Sequence, residues 1–168
     1  MRVLWFTNTP ANAADLLNAG TIGGGWVKSL DKIMQMKVDL SIAFYYPSDI
    51  NSFKYLNTTY YPIKVANWKT RSILSKLPIK FEYKSDVSKY LEIVKVVKPD
   101  IIHIHGTENS FGSLVFNTDI PVIFSIQGSM TVYKHKFLSG FSKMNLIKSS
   151  LFLQRNFQQF IRHRSLMR

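Results

Sequence analysis

Apolar positions along this chain alternate between short, nearly continuous β-branched runs and longer stretches with a hydrophobic residue every third or fourth place. Arg2–Thr7 reads as a first buried strand. Asn8–Thr21 follows as a loop rich in Asn, Ala, Gly and Pro, with room for one helical turn at Ala13–Leu17. From Trp26 the spacing turns helical, with Val27, Leu30, Ile33 and Met34 assigned to one face. Val38–Tyr46 is the next strand, closed by Pro47-Ser48-Asp49. Thr58–Val65 is a third strand, and Pro62 within it suggests an edge position or an early end. Ala66–Lys84 is basic with scattered hydrophobics and shows no clear period, although Ser72–Leu77 suits a short helix. Asp86 is placed to cap a helix running to Lys98, with Val87, Tyr90, Leu91, Val94 and Val97 along one side.

The most informative stretch is Pro99–Ser129. Pro99-Asp100 opens Ile101-Ile102-His103-Ile104-His105, which stops at Gly106, and Pro121 opens Val122-Ile123-Phe124-Ser125-Ile126, which stops at Gln127-Gly128-Ser129. Such β-branched runs, bounded by proline and glycine, suit parallel strands covered on both faces. Phe111, Leu114 and Val115 suggest a short crossover helix between them. The resulting order, β-α-β-β-α-β-α-β, predicts an α/β fold: a Rossmann-like, mostly parallel sheet with helices on both faces. Open sheets of this kind bind ligands beyond the carboxyl ends of their strands.

Composition sharpens this picture in two respects. The chain has 168 residues, 46% of them apolar and 14% aromatic, enough for one well-filled domain. It has no cysteine, which excludes disulfides and thiolate metal sites. Lys and Arg outnumber Asp and Glu by 22 to 10, and no acidic residue follows Asp119. That imbalance favours phosphate-bearing ligands, nucleic acid or an anionic membrane face, or else a fragment whose missing remainder is more acidic. No apolar run is long enough to span a bilayer or to act as a signal peptide. From Phe141 the pattern is basic and helical: Leu146, Leu153, Phe157, Phe160 and Ile161 fall on one side, with Lys148, Arg155 and Arg162 opposite. The expected organisation is a Rossmann-like domain over 1–140 and a basic amphipathic helical segment over 141–168. The periodic pattern still runs at Arg168 with no glycine cap or proline, as at a cut.

Candidate chemistry gathers at the turns. Gly23-Gly24-Gly25 opening a helix suits backbone N–H groups approaching a phosphate, or serves only as a tight turn. The run matches neither GxGxxG nor a Walker loop. His103 and His105, two apart on a strand, share a face; as a metal pair they would need a third ligand. His105, beside Gly106, suits a ligand contact, whereas His103 suits a hydrogen-bonded core histidine. Glu108, just past the strand, suits a ligand contact or a helix-start carboxylate. Gln127 and Gly128 at the last strand tip offer an amide and a backbone N–H, a combination suited to sugar hydroxyls. No close carboxylate pair and no nucleophile elbow is present.

Taken in order, Arg2-Val3-Leu4-Trp5-Phe6, Gly23-Gly24-Gly25-Trp26-Val27, Pro99-Asp100-Ile101-Ile102-His103-Ile104-His105-Gly106 and Pro121-Val122-Ile123-Phe124-Ser125-Ile126-Gln127-Gly128 resemble the amino-terminal domain of a family-4, glycogen-synthase-like retaining glycosyltransferase of the GT-B fold. The resemblance covers essentially the whole chain. It implies two Rossmann-like domains with the active site between them, an acceptor-binding first domain and a second domain holding a nucleotide-sugar. It also implies no metal or other cofactor, a glycan or lipid-linked acceptor, no specific nucleic acid, and a cytoplasmic place or one at the inner membrane face. By position, Gly23, Gly24 and Gly25 would face the donor diphosphate, while His105, Gly106, Glu108, Gln127 and Gly128 would lie on the acceptor and sugar side. Gln127 stands where many relatives carry a histidine near the reacting carbon, and glutamine can hydrogen-bond but not titrate. The competing expectations are a non-enzymatic basic module that docks on anionic membrane or nucleic acid, and a metal hydrolase built on the His103/His105 pair.

Overall fold

In the computed structural model, which describes residues 1–17, 25–64, 84–106 and 109–126, six strands form one sheet. They are β1 (Arg2–Thr7), β2 (Asp39–Tyr46), β3 (Phe53–Tyr55), β4 (Thr58–Lys64), β5 (Ile101–His105) and β6 (Val122–Ser125). Their spatial order is β3-β4-β2-β1-β5-β6, and every neighbouring pair is parallel except the β3–β4 hairpin. The α/β expectation is met. Strand β1 is central, pairing Val3 with Leu40 on one side and with Ile101 on the other.

Alternation along the strands divides the core between two faces. Val3, Trp5, Leu40, Ile42, Phe44 and Tyr60 pack beneath helix α1 (Gly25–Met34) and a 3₁₀ turn at Ala11–Asp15. Leu4, Phe6, Ala43, Ile63, Ile102 and Ile104 pack beneath helix α2 (Lys84–Val97) and a 3₁₀ helix at Ser110–Phe116. Phe111 anchors this second face. Its ring stacks on Tyr45 at 4.8 Å and meets Phe6 and Tyr90 at 5.2 and 5.3 Å. The Tyr45, Tyr90 and Ser110 hydroxyls join in one hydrogen-bonded group above it.

Several sequence expectations need correction. Ile33 does not belong to the buried face of α1; it is 49% exposed, and Asp31 takes the buried place instead. At 3.6 residues per turn Ile33 lies about 120° around the helix from Val27, whereas Asp31 lies about 40° away. Helix α2 begins at Lys84, so Asp86 sits in the first turn and not at the cap, accepting a hydrogen bond from the Tyr45 hydroxyl at 3.4 Å. Strand β3 was not anticipated, and it pairs only with Thr58–Tyr60. Pro62, beyond the end of that hairpin, therefore sits where a missing N–H interrupts no described ladder on that side. The helical turn foreseen at Ala13–Leu17 lies instead at Ala11–Asp15. Strand β6 is not fully covered, since Ile123 is half exposed at the sheet edge. The helix considered at Ser72–Leu77 and the basic segment over 141–168 lie outside the described residues.

Candidate functional site

The chain runs from β1 to β2 on one side of the sheet and later returns to β5 on the other side of β1. Connections that leave adjacent parallel strands in opposite directions open a crevice at their carboxyl ends. Here that crevice lies between β1, ending at Thr7, and β5, ending at His105.

Both histidines of β5 point to the α1 face, with ring centroids 3.9 Å apart and planes tilted by 35°. His103 has a partner: its Nε2 lies 2.7 Å from the Ser125 hydroxyl on β6. His105 is 3% exposed, and neither ring nitrogen has a hydrogen-bond partner. Trp5 lies against it at 4.6 Å, and Trp26, from the first turn of α1, at 5.2 Å. Burial, helped by the neighbouring His103 ring, pushes the His105 imidazole down to about 3, and burial lowers His103 as well. His105 is thus a neutral donor–acceptor at physiological pH, unsuited to proton transfer there.

The chain leaving β1 carries Thr9 and Asn12. The Asn12 side chain is buried, and neither end of its amide has a hydrogen-bond partner; the same holds for the Thr9 hydroxyl and the Trp5 indole N–H. Buried polar atoms are nearly always paired in proteins, so these unpaired ones on and just after the central strands β1 and β5 are candidates for ligand contact. The orphans are all uncharged. The backbone beneath them is tightly held: Ala11 sits at φ +49, a conformation costing about 1–2 kcal/mol for a residue with a Cβ. The Asn12 N–H donates to Asp31 Oδ2 at 3.2 Å. Asp31, fully buried on α1, also accepts from the Thr58 and Tyr60 hydroxyls of β4 at 2.8 and 2.6 Å. Burial and the Asp31 carboxyl beside it drive the Tyr60 phenol well above its ordinary value.

Of the residues anticipated from sequence, His105, Gly106 and Gly25 are described; Gly23, Gly24, Glu108, Gln127 and Gly128 lie outside the described residues. Gly25 starts α1 at φ +41, and a Cβ built on it would meet nothing within 4 Å. Tight packing around a missing Cβ is therefore not what the glycine serves. Gly106 sits at φ +88 and its N–H donates to the Ser125 carbonyl at 2.9 Å, which makes it a backbone turn rather than a free donor. Among the described residues no three His, Asp or Glu side chains gather as metal ligands, so the histidine pair finds no third member there. Among them, too, no helix is long and apolar enough to cross a membrane.

Sequence reasoning missed Trp5, Thr9, Asn12, Trp26 and Asp31. A signal for Asp31 was present: it falls four residues after Val27, inside the apolar stripe. Asn12 offered only its place in Asn8-Thr9-Pro10-Ala11-Asn12, directly after a buried strand.

The family described as glycosyl transferase 4-like matches residues 27–161. Neither curated proteins nor solved structures gave a match.

Proposed function

We propose that this chain, which belongs to the glycosyl transferase 4-like family, is the acceptor-side part of an enzyme that moves a sugar from a nucleotide-sugar to a hydroxyl of a glycan or lipid-linked acceptor, with retention at the anomeric carbon. The observation that carries the reading is the set of buried, uncharged donors and acceptors without partners on Thr9, Asn12 and His105, with the exposed indole of Trp26 against the His105 ring. Sugar hydroxyls need donors and acceptors together, and indole rings suit the apolar face of a pyranose. The helix start at Gly25 suits the diphosphate of the donor, because a helix amino terminus favours an anion and no side chain stands on Gly25. The donor's remaining contacts, and any docking of the basic 141–168 segment on an anionic membrane, belong to the same proposal.

The test is transfer of radiolabelled sugar by the complete enzyme from a panel of nucleotide-sugars. Transfer is expected with one of them, and Trp26→Ala should weaken it about tenfold through lost stacking. Absence of both transfer and nucleotide-sugar binding across the panel would overturn the reading.

A further inference from the structure

The Asp31 carboxyl is fully buried and serves three donors from separated parts of the fold: the Asn12 N–H after β1 and the hydroxyls of Thr58 and Tyr60 on β4. In the sheet β2 lies between β1 and β4, so this one side chain ties the loop leaving the central strand to a strand two places away. None of the ion pairs among the described residues includes Asp31. A buried acid without a cation is a poor way to add stability, since apolar side chains of similar volume usually do as well. What it fixes is geometry. The N–H that it holds belongs to Asn12, the residue after left-handed Ala11, and the Asn12 side chain is buried with both amide ends unused. A primary amide presents a carbonyl oxygen and an N–H side by side, the arrangement that meets two adjacent hydroxyls, each of which can donate and accept. Its lack of charge favours a neutral ring over an anion.

We infer that Asn12 is a specificity-determining residue that reads adjacent hydroxyls of a neutral sugar ring, and that Asp31 is the positioning residue that holds it in place. The inference rests on the glycosyl-transfer reading above and extends it to particular side chains.

The experiment uses this 168-residue chain labelled with ¹⁵N and titrated with glucose, galactose, mannose and N-acetylglucosamine, and separately with UDP and GDP. At least one sugar should move the Asn12 side-chain amide and the Trp26 indole resonances together, with a single affinity. Asn12→Ala and Asp31→Ala should each weaken that sugar about tenfold, the worth of a well-made hydrogen bond. Alanine is the substitution at Asp31 because an asparagine carbonyl would still accept from the Asn12 N–H. Tyr60→Phe removes a different partner of Asp31, so it should lower thermal stability while leaving sugar affinity within about twofold. This split separates positioning from mere structural support. Should Asp31→Ala not fold, Asn12→Ala, whose backbone N–H still meets Asp31, carries the comparison. Sugar binding at Trp26 with unchanged affinity in Asn12→Ala would overturn the inference and leave the glycosyl-transfer reading intact. Loss in Asn12→Ala with unchanged affinity in Asp31→Ala would overturn the role of Asp31. If no sugar moves Asn12, His105 or Trp26, the inference falls, and the transfer assay with the complete enzyme decides the reading beneath it separately.

Discussion

His103 and His105 stack 3.9 Å apart on one face of β5, yet only His103 has a hydrogen-bond partner, the hydroxyl of Ser125. The two rings therefore share an environment that disfavours charge on either.

A pH dependence of stability follows. The His105 imidazole titrates near 3 in the fold, below the ordinary value of 6.5, and His103 is lowered in the same direction. Between those values the unfolded chain binds more protons than the native one, so stability is retained above 6.5 and falls as the pH drops through the window. One such group contributes at most about 1.4 kcal/mol per pH unit. Urea unfolding at pH 7.5 and 5.5 should show a loss of about 1–2 kcal/mol, before most carboxylates titrate. His105→Gln should remove at least part of it. Equal midpoints at the two pH values would show that the imidazole is not buried as described.

The Asp31 network makes a graded prediction. Thr58→Val deletes one donor and should cost about 1 kcal/mol. Asp31→Ala strands two hydroxyls and a backbone N–H, and should cost roughly 3 kcal/mol or more. Thermal and urea melts of the two variants should rank in that order, and the reverse ranking would contradict the hydrogen bonds from Asn12, Thr58 and Tyr60.

Gly25 allows stability and activity to be separated. Its φ of +41 means that alanine is strained there by about 1 kcal/mol, although the new methyl meets no neighbour. For a chain of this size the melting temperature should fall by about 2–4 °C. In the complete enzyme, activity should drop on the order of 10²-fold if the methyl displaces a backbone contact to the diphosphate. Normal activity per folded molecule would reduce Gly25 to a helix start.

On the opposite face of the sheet, Phe111 joins β1, β2 and α2 through Phe6, Tyr45 and Tyr90. Phe111→Ala should cost about 3–5 kcal/mol, read by denaturant titration. A loss below 1 kcal/mol would indicate that the 3₁₀ helix carrying Phe111 is dispensable to the core.

The strands were legible because Arg2–Thr7 and Ile101–His105 are hydrophobic runs with sharp ends, and their boundaries in the fold match the reading from sequence. Strand β3 was not, since three residues give no period, and its existence depends on pairing with Thr58–Tyr60. The glycine run and the histidine pair drew attention through residue type alone. The Asn12–Asp31 contact drew none, because it joins an unremarked loop to the one polar position of an apolar stripe, and only folding places them together. Trp5 and Trp26 read as core and helix start respectively; their approach to His105 is likewise a product of three elements meeting.

The central place of β1 also sets the order in which the molecule can be assembled. Its far edge waits for β5: Val3 pairs with Ile101, and the Arg2 N–H meets the Asp100 carboxylate at 2.7 Å across 98 residues of sequence. At typical rates of synthesis, about 5–20 residues per second, the first strand made spends roughly 5–20 s with that edge bare. During this interval β2 can already flank it, leaving Val3, Trp5 and their neighbours in a half-built sheet open to association with other nascent chains. Long-range closure of the β1–β5 ladder is then the slow, entropically costly event of folding. The edge that finally seals brings His105 of β5 against Trp5 of β1, so the candidate site is among the last parts of the protein to form.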